Sequence, residues 1–185
     1  MEEKTTHSKY LFKNKSLPKD YFPPVIVGYK IKTPENIGNI IRIADNIGCK
    51  EVFFIRDKEE IRESKIKKTA SSSYSSIKWD FYDIEELEEL VPKDYSWIAI
   101  ETSSDSENIY QSKLPAKCAF FVGNEINGID LDVLNKCDKT VHIPLVGKNT
   151  SMNVSHALAV AVFEWQRQIL HCKFPINVSR DHTSY

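Results

Sequence analysis

The chain has 185 residues, of which 41% are hydrophobic and 28% are charged, and its formal net charge is −1. These values are ordinary for one soluble globular domain with a substantial core, and they exclude a chain that is basic throughout. No apolar run approaches the roughly 20 residues of a membrane-spanning helix, and the acidic start is not that of a secretory signal. The four cysteines form no CxxC pair, which argues against a zinc site and a disulfide framework and favours reduced thiols in the cytoplasm.

The first third of the chain predicts an arm, a strand and a helix. Residues 1–20 are polar and rich in lysine, which predicts a flexible arm or a short helix, and residues 25–29 form an apolar run of strand length. Residues 33–36 are predicted to form a loop, with Asn36 as a candidate N-cap. Apolar residues then repeat with helical spacing as far as Gly48, a residue type that commonly follows a helix.

The middle of the chain predicts two further strands, over 51–55 and 77–81. A helix is predicted over 58–69. Residues 70–76 are predicted to form a loop that is too small and polar to pack in a core. An acidic amphipathic helix is predicted over 84–90.

The last part predicts strands over 97–100, 118–122 and 141–143, a short helix over 131–137 and a long helix over 153–170. One face of the long helix carries Val154, Leu158, Val162, Trp165 and Ile169. Because strands alternate with helices and several strands are continuous apolar runs, we expect an α/β fold, a mostly parallel sheet with helices on both faces.

Ligands of such sheets bind outside the carboxyl ends of the strands. Polar or glycine-bearing segments follow predicted strands at 101–102, 123–128 and 144–153, so we expect a site there. The sequence contains no GxGxxG turn and no Walker A loop, so a nucleoside ligand would have to be bound by a different kind of loop.

Three segments contain residues that could have either a catalytic or binding role or a purely structural one. In Asn36-Ile37-Gly38-Asn39-Ile40-Ile41-Arg42, the arginine lies at the margin of the core and would form an ion pair or bind an anion. In Gly123-Asn124-Glu125-Ile126-Asn127-Gly128, the glycines allow close approach of a ligand, and the glutamate is a capping or a functional carboxylate. Ile143-Pro144-Leu145 precedes Ser151-Met152-Asn153-Val154-Ser155, in which a serine or asparagine would cap the long helix or receive an anion.

In this order the three segments resemble the signature motifs of the SpoU-type methyltransferases, a family of the SPOUT superfamily. The family patterns are N-x-G-x-x-x-R, then G-x-E-x-x-G, then I-P-M followed by S-L-N-x-S, and the resemblance covers roughly residues 24–170. Leu145 replaces the usual methionine and Met152 the usual leucine, and both exchanges conserve volume and apolar character.

The resemblance implies an S-adenosylmethionine-dependent enzyme that methylates a ribose 2′-hydroxyl of tRNA or rRNA, with tRNA favoured. It also implies a deep trefoil knot in the C-terminal part of the sheet. The family forms homodimers, so the first-motif helix and the long C-terminal helix are interface candidates, with the site at the two-fold axis. The implied organisation is an arm over 1–22, a methyltransferase domain over 23–171 and a tail over 172–185, with neither a metal nor a membrane required.

The catalytic residues implied by the resemblance are Arg42, Asn36, Glu125, Ser151 and Asn153. We interpret Arg42 as a clamp on the phosphate beside the reactive hydroxyl, because a guanidinium keeps its proton at neutral pH and is a poor base. Asn36 and Asn153 would orient Arg42 or the ribose. Glu125 would hold Arg42 or shape the cofactor loop, and Ser151 would bond the substrate phosphate.

The implied cofactor-binding residues are Glu101, Thr102, Gly123, Asn124, Gly128, Ile143, Leu145 and Met152. RNA contacts are assigned to Lys13, Lys15, Lys65, Lys67 and Lys68, with a further contribution from the tail around Arg180. His142 and His156 could act as general bases, but the resemblance favours surface or packing roles for both, because the family uses no histidine there.

Two other classes of protein stay open. One is a non-catalytic RNA-binding protein on the same fold, against which the intact Arg42, Glu125 and Ser151 count. The other is a different α/β enzyme, acting on a small molecule or, as a SPOUT methyltransferase, on an RNA base. The combination of Arg42 with residues 151–153 favours ribose, and digestion of the product to nucleosides would separate ribose from base modification.

Overall fold

The structure, a computed structural model, describes residues 21–57 and 61–173. Its strands are β1 (Val25–Tyr29), β2 (Glu51–Ile55), β3 (Lys78–Tyr82), β4 (Ser96–Ile100), β5 (Glu107–Asn108), β6 (Cys118–Val122) and β7 (Lys139–His142). Its helices are α1 (Pro34–Asn46), α2 (Glu63–Ala70), α3 (Ser73–Ser76), α4 (Leu87–Leu90), α5 (Leu131–Leu134) and α6 (Val154–Lys173), with a 3-10 turn over Ile84–Glu86. Within these residues, no helix is long and apolar enough to cross a membrane.

The seven strands form one sheet in the order β3-β2-β1-β6-β4-β7-β5, and every pair of neighbouring strands is parallel. Because the strands are parallel, their carboxyl ends lie along one edge of the sheet. The loops that follow β1, β6, β4 and β7 therefore meet at that edge, where ligands of α/β sheets bind.

Helices cover both faces of the sheet, as the sequence predicted. Successive strand residues point to opposite faces, so Phe120 packs with Ile40 and Trp165 on one side, and Phe121 packs with Leu87 on the other. All five of these side chains are buried. Burial of each such side chain stabilises the fold by about 1.5–3 kcal/mol, and this anchors the strands whose ends carry the motifs.

The predicted strands over 25–29, 51–55 and 118–122 match the structure residue for residue, and the other predicted strands agree within one or two residues. The sequence did not predict β5. This strand consists of two polar residues, and it forms because its backbone pairs with that of β7. No local sequence pattern predicts such a pairing.

The prediction that Asn36 caps the first helix was wrong. Thr33 is the N-cap, and its Oγ1 accepts a hydrogen bond from the Asn36 amide at 3.4 Å. Pro34 occupies the first turn, where a residue without an N–H is tolerated. Asn36 therefore lies inside the helix, and its side chain is available for contacts with other elements.

The predicted loop over 70–76 was also wrong. Ser73 to Ser76 form α3, and the buried Ser73 hydroxyl donates to Asp45 Oδ2 at 2.7 Å. A small polar residue packs in the interior here because a carboxylate accepts a hydrogen bond from its hydroxyl. The helix predicted over 58–69 begins at Glu63, with residues 58–60 outside the described part of the chain, and the helix predicted over 131–137 ends at Leu134.

The predicted boundary of the arm at residue 22 requires a correction. Tyr21 is only 7% exposed, its ring lies 5.6 Å from that of Trp165, and its hydroxyl donates to the Ile47 carbonyl at 2.6 Å. Tyr21 therefore belongs to the core. At the other end α6 continues through Lys173, and residues 1–20 and 174–185 lie outside the described chain.

Candidate functional site

A cleft of about 450 Å³ lies at the carboxyl ends of β4, β6 and β7. The first turn of α6 closes one side of it, and the loop after β6 closes another. The cleft is lined by all eight residues predicted to bind a cofactor, which are Glu101, Thr102, Gly123, Asn124, Gly128, Ile143, Leu145 and Met152. Glu125, Ser151 and Asn153 of the predicted catalytic set line it as well.

The loop after β6 folds back on itself at its two glycines. A Cβ at Gly123 would lie 2.4 Å from the carbonyl carbon of Gly128, and Gly128 itself has φ +68°. Neither position accepts a side chain without a shift of backbone or of a neighbouring group. Asn124 fixes the turn between them, because its Oδ1 accepts from the amides of Ile126 and Asn127 at 2.9 and 3.1 Å.

Asn124 also joins this loop to the end of β1. Its Nδ2 donates to the Lys30 carbonyl at 2.7 Å, and Lys30 has φ 52°, a conformation uncommon for a residue with a Cβ. Shortly after the bend at Lys30, the backbone amides of Lys32 and Thr33 both donate to Glu125 in the loop after β6. The start of α1 and this loop therefore form one polar unit.

Glu125 lies at the centre of that unit. Its carboxylate accepts from the Lys32 amide at 2.9 Å, from the Thr33 amide and hydroxyl at 3.0 and 2.9 Å, and from Asn36 Nδ2 at 2.8 Å. Burial alone would raise the pKa of Glu125, but the hydrogen bonds from Lys32, Asn36 and Thr33 outweigh it and lower the pKa below its ordinary value. Glu125 is thus an ionised acceptor at the N-terminus of α1, where the helix dipole favours negative charge.

Asn36 links the second motif to the third. While its Nδ2 donates to Glu125, its Oδ1 accepts from Asn153 Nδ2 at 3.0 Å. Asn153 Oδ1 in turn accepts from the Ser155 amide and hydroxyl at 2.9 and 2.7 Å and so caps α6. One chain of hydrogen bonds, Glu125–Asn36–Asn153–Ser155, therefore connects all three motifs, which we call the motif chain.

Arg42 lies apart from the motif chain. It is exposed on α1, does not line the cleft, and has no hydrogen bond or ion pair to the described residues. Glu125 does not hold Arg42 in this structure, so of the two roles predicted for Glu125 only the shaping of the loop has contacts to support it. Ser151 is exposed in the cleft wall.

Glu101 clamps two cleft loops together. Its Oε1 accepts from the Thr102 amide at 2.9 Å, and its Oε2 accepts from the Ile129 amide at 3.2 Å. A Cβ on Gly128 would lie 2.4 Å from Glu101 Oε2, so the carboxylate rests directly against that glycine. Among the residues described, no group of three or more His, Cys, Asp or Glu side chains could hold a metal ion.

The predicted RNA-binding lysines are placed only in part. Lys65, Lys67 and Lys68 are exposed on α2, which packs against α1, and Lys65 Nζ lies 3.6 Å from Glu35 Oε1. This pair places Lys65 beside the first turn of α1, the helix that also carries Asn36 of the motif chain. Lys13 and Lys15 lie outside the described residues, as does the tail around Arg180.

Sequence reasoning missed two residues of this site. Thr33 both caps α1 and donates to Glu125, and the Thr-Pro pair at a helix start was a signal that could have found it. His142 lines the cleft although it was assigned a surface or packing role. No local pattern marks it, because its position depends on the pairing of β7.

The domain has a parallel sheet covered by helices on both faces, and its polar cleft lies at the carboxyl ends of the strands. This is where α/β domains of this class bind small ligands. Residues 23–163 match the sequence model of the SpoU rRNA Methylase family, and the chain belongs to that family. The resemblance read from the three motifs is thereby confirmed.

Similar proteins include two that are named 23S rRNA (guanosine-2′-O-)-methyltransferase RlmB. The Haemophilus influenzae protein is 30% identical over 150 residues, which are 80% of this chain and 61% of that protein. The Salmonella typhi protein is 27% identical over 139 residues, 75% of this chain and 57% of that protein. The chain therefore spans somewhat more than half the length of these curated relatives.

Solved structures share the fold. The SpoU methyltransferase AviRb from Streptomyces viridochromogenes, solved in complex with AdoMet, has a TM-score of 0.73 at 21% identity, covering 84% of this chain and 60% of that one. A structure described as giving insights into the 2-OH methylation of C/U34 on tRNA has a TM-score of 0.70 at 24% identity, covering 80% of this chain and 96% of that one.

Proposed function

We propose that this chain transfers a methyl group from S-adenosylmethionine to a ribose 2′-hydroxyl of RNA. The observation that carries the proposal is the motif chain, which joins Glu125, Asn36 and Asn153 beside a cleft lined by the second and third motifs. The names of the relatives, ribose methyltransferases of 23S rRNA, support the same reaction. Such an enzyme would work in the cytoplasm, where its free cysteines stay reduced.

The residues present fit an adenosyl cofactor. The volume of the cleft, about 450 Å³, lies within the range of small-molecule sites. Ile100, Val122 and Ile143 supply apolar surface for a purine, and the close approach at Gly123 exposes backbone groups to a ligand. The carboxylates of Glu101 and Glu125 complement the positive charge of the cofactor.

When bound, S-adenosylmethionine would supply an electrophilic sulfonium methyl group to the ribose 2′-oxygen, so that an O–CH3 bond would form as the S–CH3 bond breaks and S-adenosylhomocysteine leaves. The motif chain fixes the N-termini of α1 and α6 against the cofactor loop, so its residues position the two reactants. Arg42 binds the phosphate next to the hydroxyl, and the hydroxyl proton leaves to that phosphate or to water. Ser151 donates to the substrate from the cleft wall. No metal takes part in this scheme.

We propose that the enzyme is a homodimer, with α1 and α6 at the interface and with a C-terminal trefoil knot. Phe163 lies on α6, one of the two proposed interface helices, and its side chain is 44% exposed, so it offers apolar surface that a second copy could bury. Arg42 does not line the cleft of its own chain, so an interface that brings two copies together is the natural route for it to reach substrate. Phe163→Glu should convert the dimer to a monomer in light scattering, whereas an unchanged mass would contradict this interface.

RNA would bind across the lysines of α2, with the lysine-rich arm before Tyr21 and the tail after Lys173 as flanking contacts. The ion pair between Lys65 and Glu35 supports this path, because it places α2 beside the motif chain. We propose tRNA as the first substrate to test and 23S rRNA as the second, since the relatives are named for the latter.

The test of the function is transfer of labelled methyl from S-adenosylmethionine to unmodified total tRNA and, separately, to ribosomal RNA. We expect label in one pool and its loss with Arg42→Ala. Cofactor binding without label in either pool would favour the non-catalytic RNA-binding protein instead.

A further inference from the structure

His142 ends β7 and lines the cleft, and the proposed mechanism gives it no task. Its Nδ1 lies 2.9 Å from the hydroxyl oxygen of Ser106. Which of the two atoms donates follows from the other contacts of that hydroxyl.

Ser106 has only one hydroxyl hydrogen, and that hydrogen is already used. Its Oγ lies 2.7 Å from the Ser103 carbonyl oxygen, which can only accept, so the hydroxyl donates there. The same Oγ accepts from the Ser103 amide at 3.2 Å. The remaining lone pair of Oγ must therefore accept a hydrogen from His142 Nδ1.

A neutral imidazole carries one N–H, so a ring with hydrogen on Nδ1 has an in-plane lone pair on Nε2. No side-chain hydrogen bond to Nε2 occurs within residues 21–57 and 61–170. We propose that His142 Nε2 accepts a hydrogen bond from a hydroxyl or amino group of the nucleoside half of the cofactor. This inference rests on the proposed function, since it takes the adenosyl cofactor as the ligand of the cleft.

The nucleoside half is favoured by the charges of the cleft. The ammonium and sulfonium of the cofactor are cations, and Glu101 and Glu125 are the carboxylates that attract them. A lone pair on a neutral ring suits a neutral donor, and the ribose and the adenine provide such donors. His142 therefore adds a contact that the carboxylates do not duplicate.

The ring is held in place before any ligand arrives. The His142 carbonyl accepts from the Ile109 amide at 3.0 Å, and His142 pairs with Asn108 in the register of β5 and β7. Ser106 directly precedes β5, so the strand that positions the backbone also positions the hydroxyl that orients the ring. A contact that is oriented in advance loses little entropy on binding.

The test is the dissociation constant of S-adenosylhomocysteine, measured by calorimetry on the full chain at pH 8. His142→Phe keeps the ring size without nitrogen and should weaken binding about 3- to 10-fold. His142→Gln can place an acceptor near the position of Nε2 and should recover most of that loss. Ser106→Ala leaves the ring unanchored and should weaken binding about 2-fold.

Methylthioadenosine separates the two halves of the cofactor, because it lacks the amino acid. His142→Phe should weaken its binding by the same factor, and a loss confined to S-adenosylhomocysteine would overturn the assignment to the nucleoside. Equal affinity of wild type and His142→Phe for both ligands would overturn the inference and leave the proposed function intact. Failure of the wild type to bind either ligand would instead overturn the proposed function.

Discussion

Asn36 has its amide orientation set by its two partners. A carboxylate can only accept, so the Nδ2 of Asn36 must face Glu125, and the Oδ1 is then left to face the amide of Asn153. Because Glu125 collects four donors from the start of α1, removal of its charge affects both the helix and the loop. The same carboxylate thus holds the start of α1 and the loop after β6 together.

Glu125→Gln should lower the free energy of unfolding by about 1 kcal/mol at pH 7, a modest value because solvent screens the exposed side chain. The folded-state pKa of Glu125 lies below its ordinary value, so its charge stabilises the fold above the ordinary carboxyl pKa. The difference between wild type and variant should therefore shrink as pH falls below about 4.3. Urea unfolding across pH measures it, with Glu85→Gln as the exposed control. A difference that is constant down to pH 3 would contradict the assigned charge.

Arg42→Ala should slow methyl transfer roughly 100-fold, because one charged contact to the transition state is lost. The melting temperature and the affinity for S-adenosylhomocysteine should stay at wild-type values, since Arg42 is exposed and has no described partner. Arg42→Lys keeps the charge without the bidentate geometry, so its rate of methyl transfer should lie between those of the wild type and Arg42→Ala. Near-normal turnover of Arg42→Ala would refute the phosphate clamp.

At the scale of elements, the N-terminus of α1 depends on Thr33. Thr33→Ala removes both the cap and the hydroxyl donor to Glu125, and should cost about 1–2 kcal/mol of stability. Thr33→Ser keeps the hydroxyl and should retain most of the stability in urea unfolding. If the alanine and serine variants are equally stable, the hydroxyl has no capping role.

Two glycines offer a matched comparison in the cleft loops. Gly128→Ala should cost at least about 1 kcal/mol and weaken cofactor binding, because φ is +68° and the new Cβ meets Glu101. A Cβ at Gly147 meets nothing within 4 Å, so Gly147→Ala should leave the stability nearly unchanged. Equal melting temperatures of the two variants would mean that the loop relaxes freely.

The sequence predicted the elements best where burial alone decides them. The run over 118–122 is apolar throughout and lies at the centre of the sheet, so its strand matched at both ends. β5 is polar and forms only because β7 is beside it, so neither the strand nor its effect on His142 could be predicted locally. The motifs identified the lining of the cleft, but the contact between Asn36 and Glu125 spans 89 positions and needed the fold to appear.

At the scale of the whole molecule, the proposed RNA binding would have to coexist with a net charge of −1. If the lysines of α2 contact phosphates, the triple variant Lys65→Ala, Lys67→Ala, Lys68→Ala should bind RNA more weakly. The slope of log affinity against log salt should fall by roughly 2–3. Lys93→Ala with Lys136→Ala, on the opposite face of the sheet, is the matched control. An unchanged slope would place the RNA elsewhere.

The central claim is that the three motifs build a site for methylation of ribose. The most direct measurement is mass spectrometry of nucleosides from RNA treated with the enzyme and S-adenosylmethionine that carries a trideuterated methyl group. The account predicts the label on the ribose of a 2′-O-methylated nucleoside, and roughly 100-fold slower labelling with Arg42→Ala. Label on a base, or equal labelling by the variant, would contradict it.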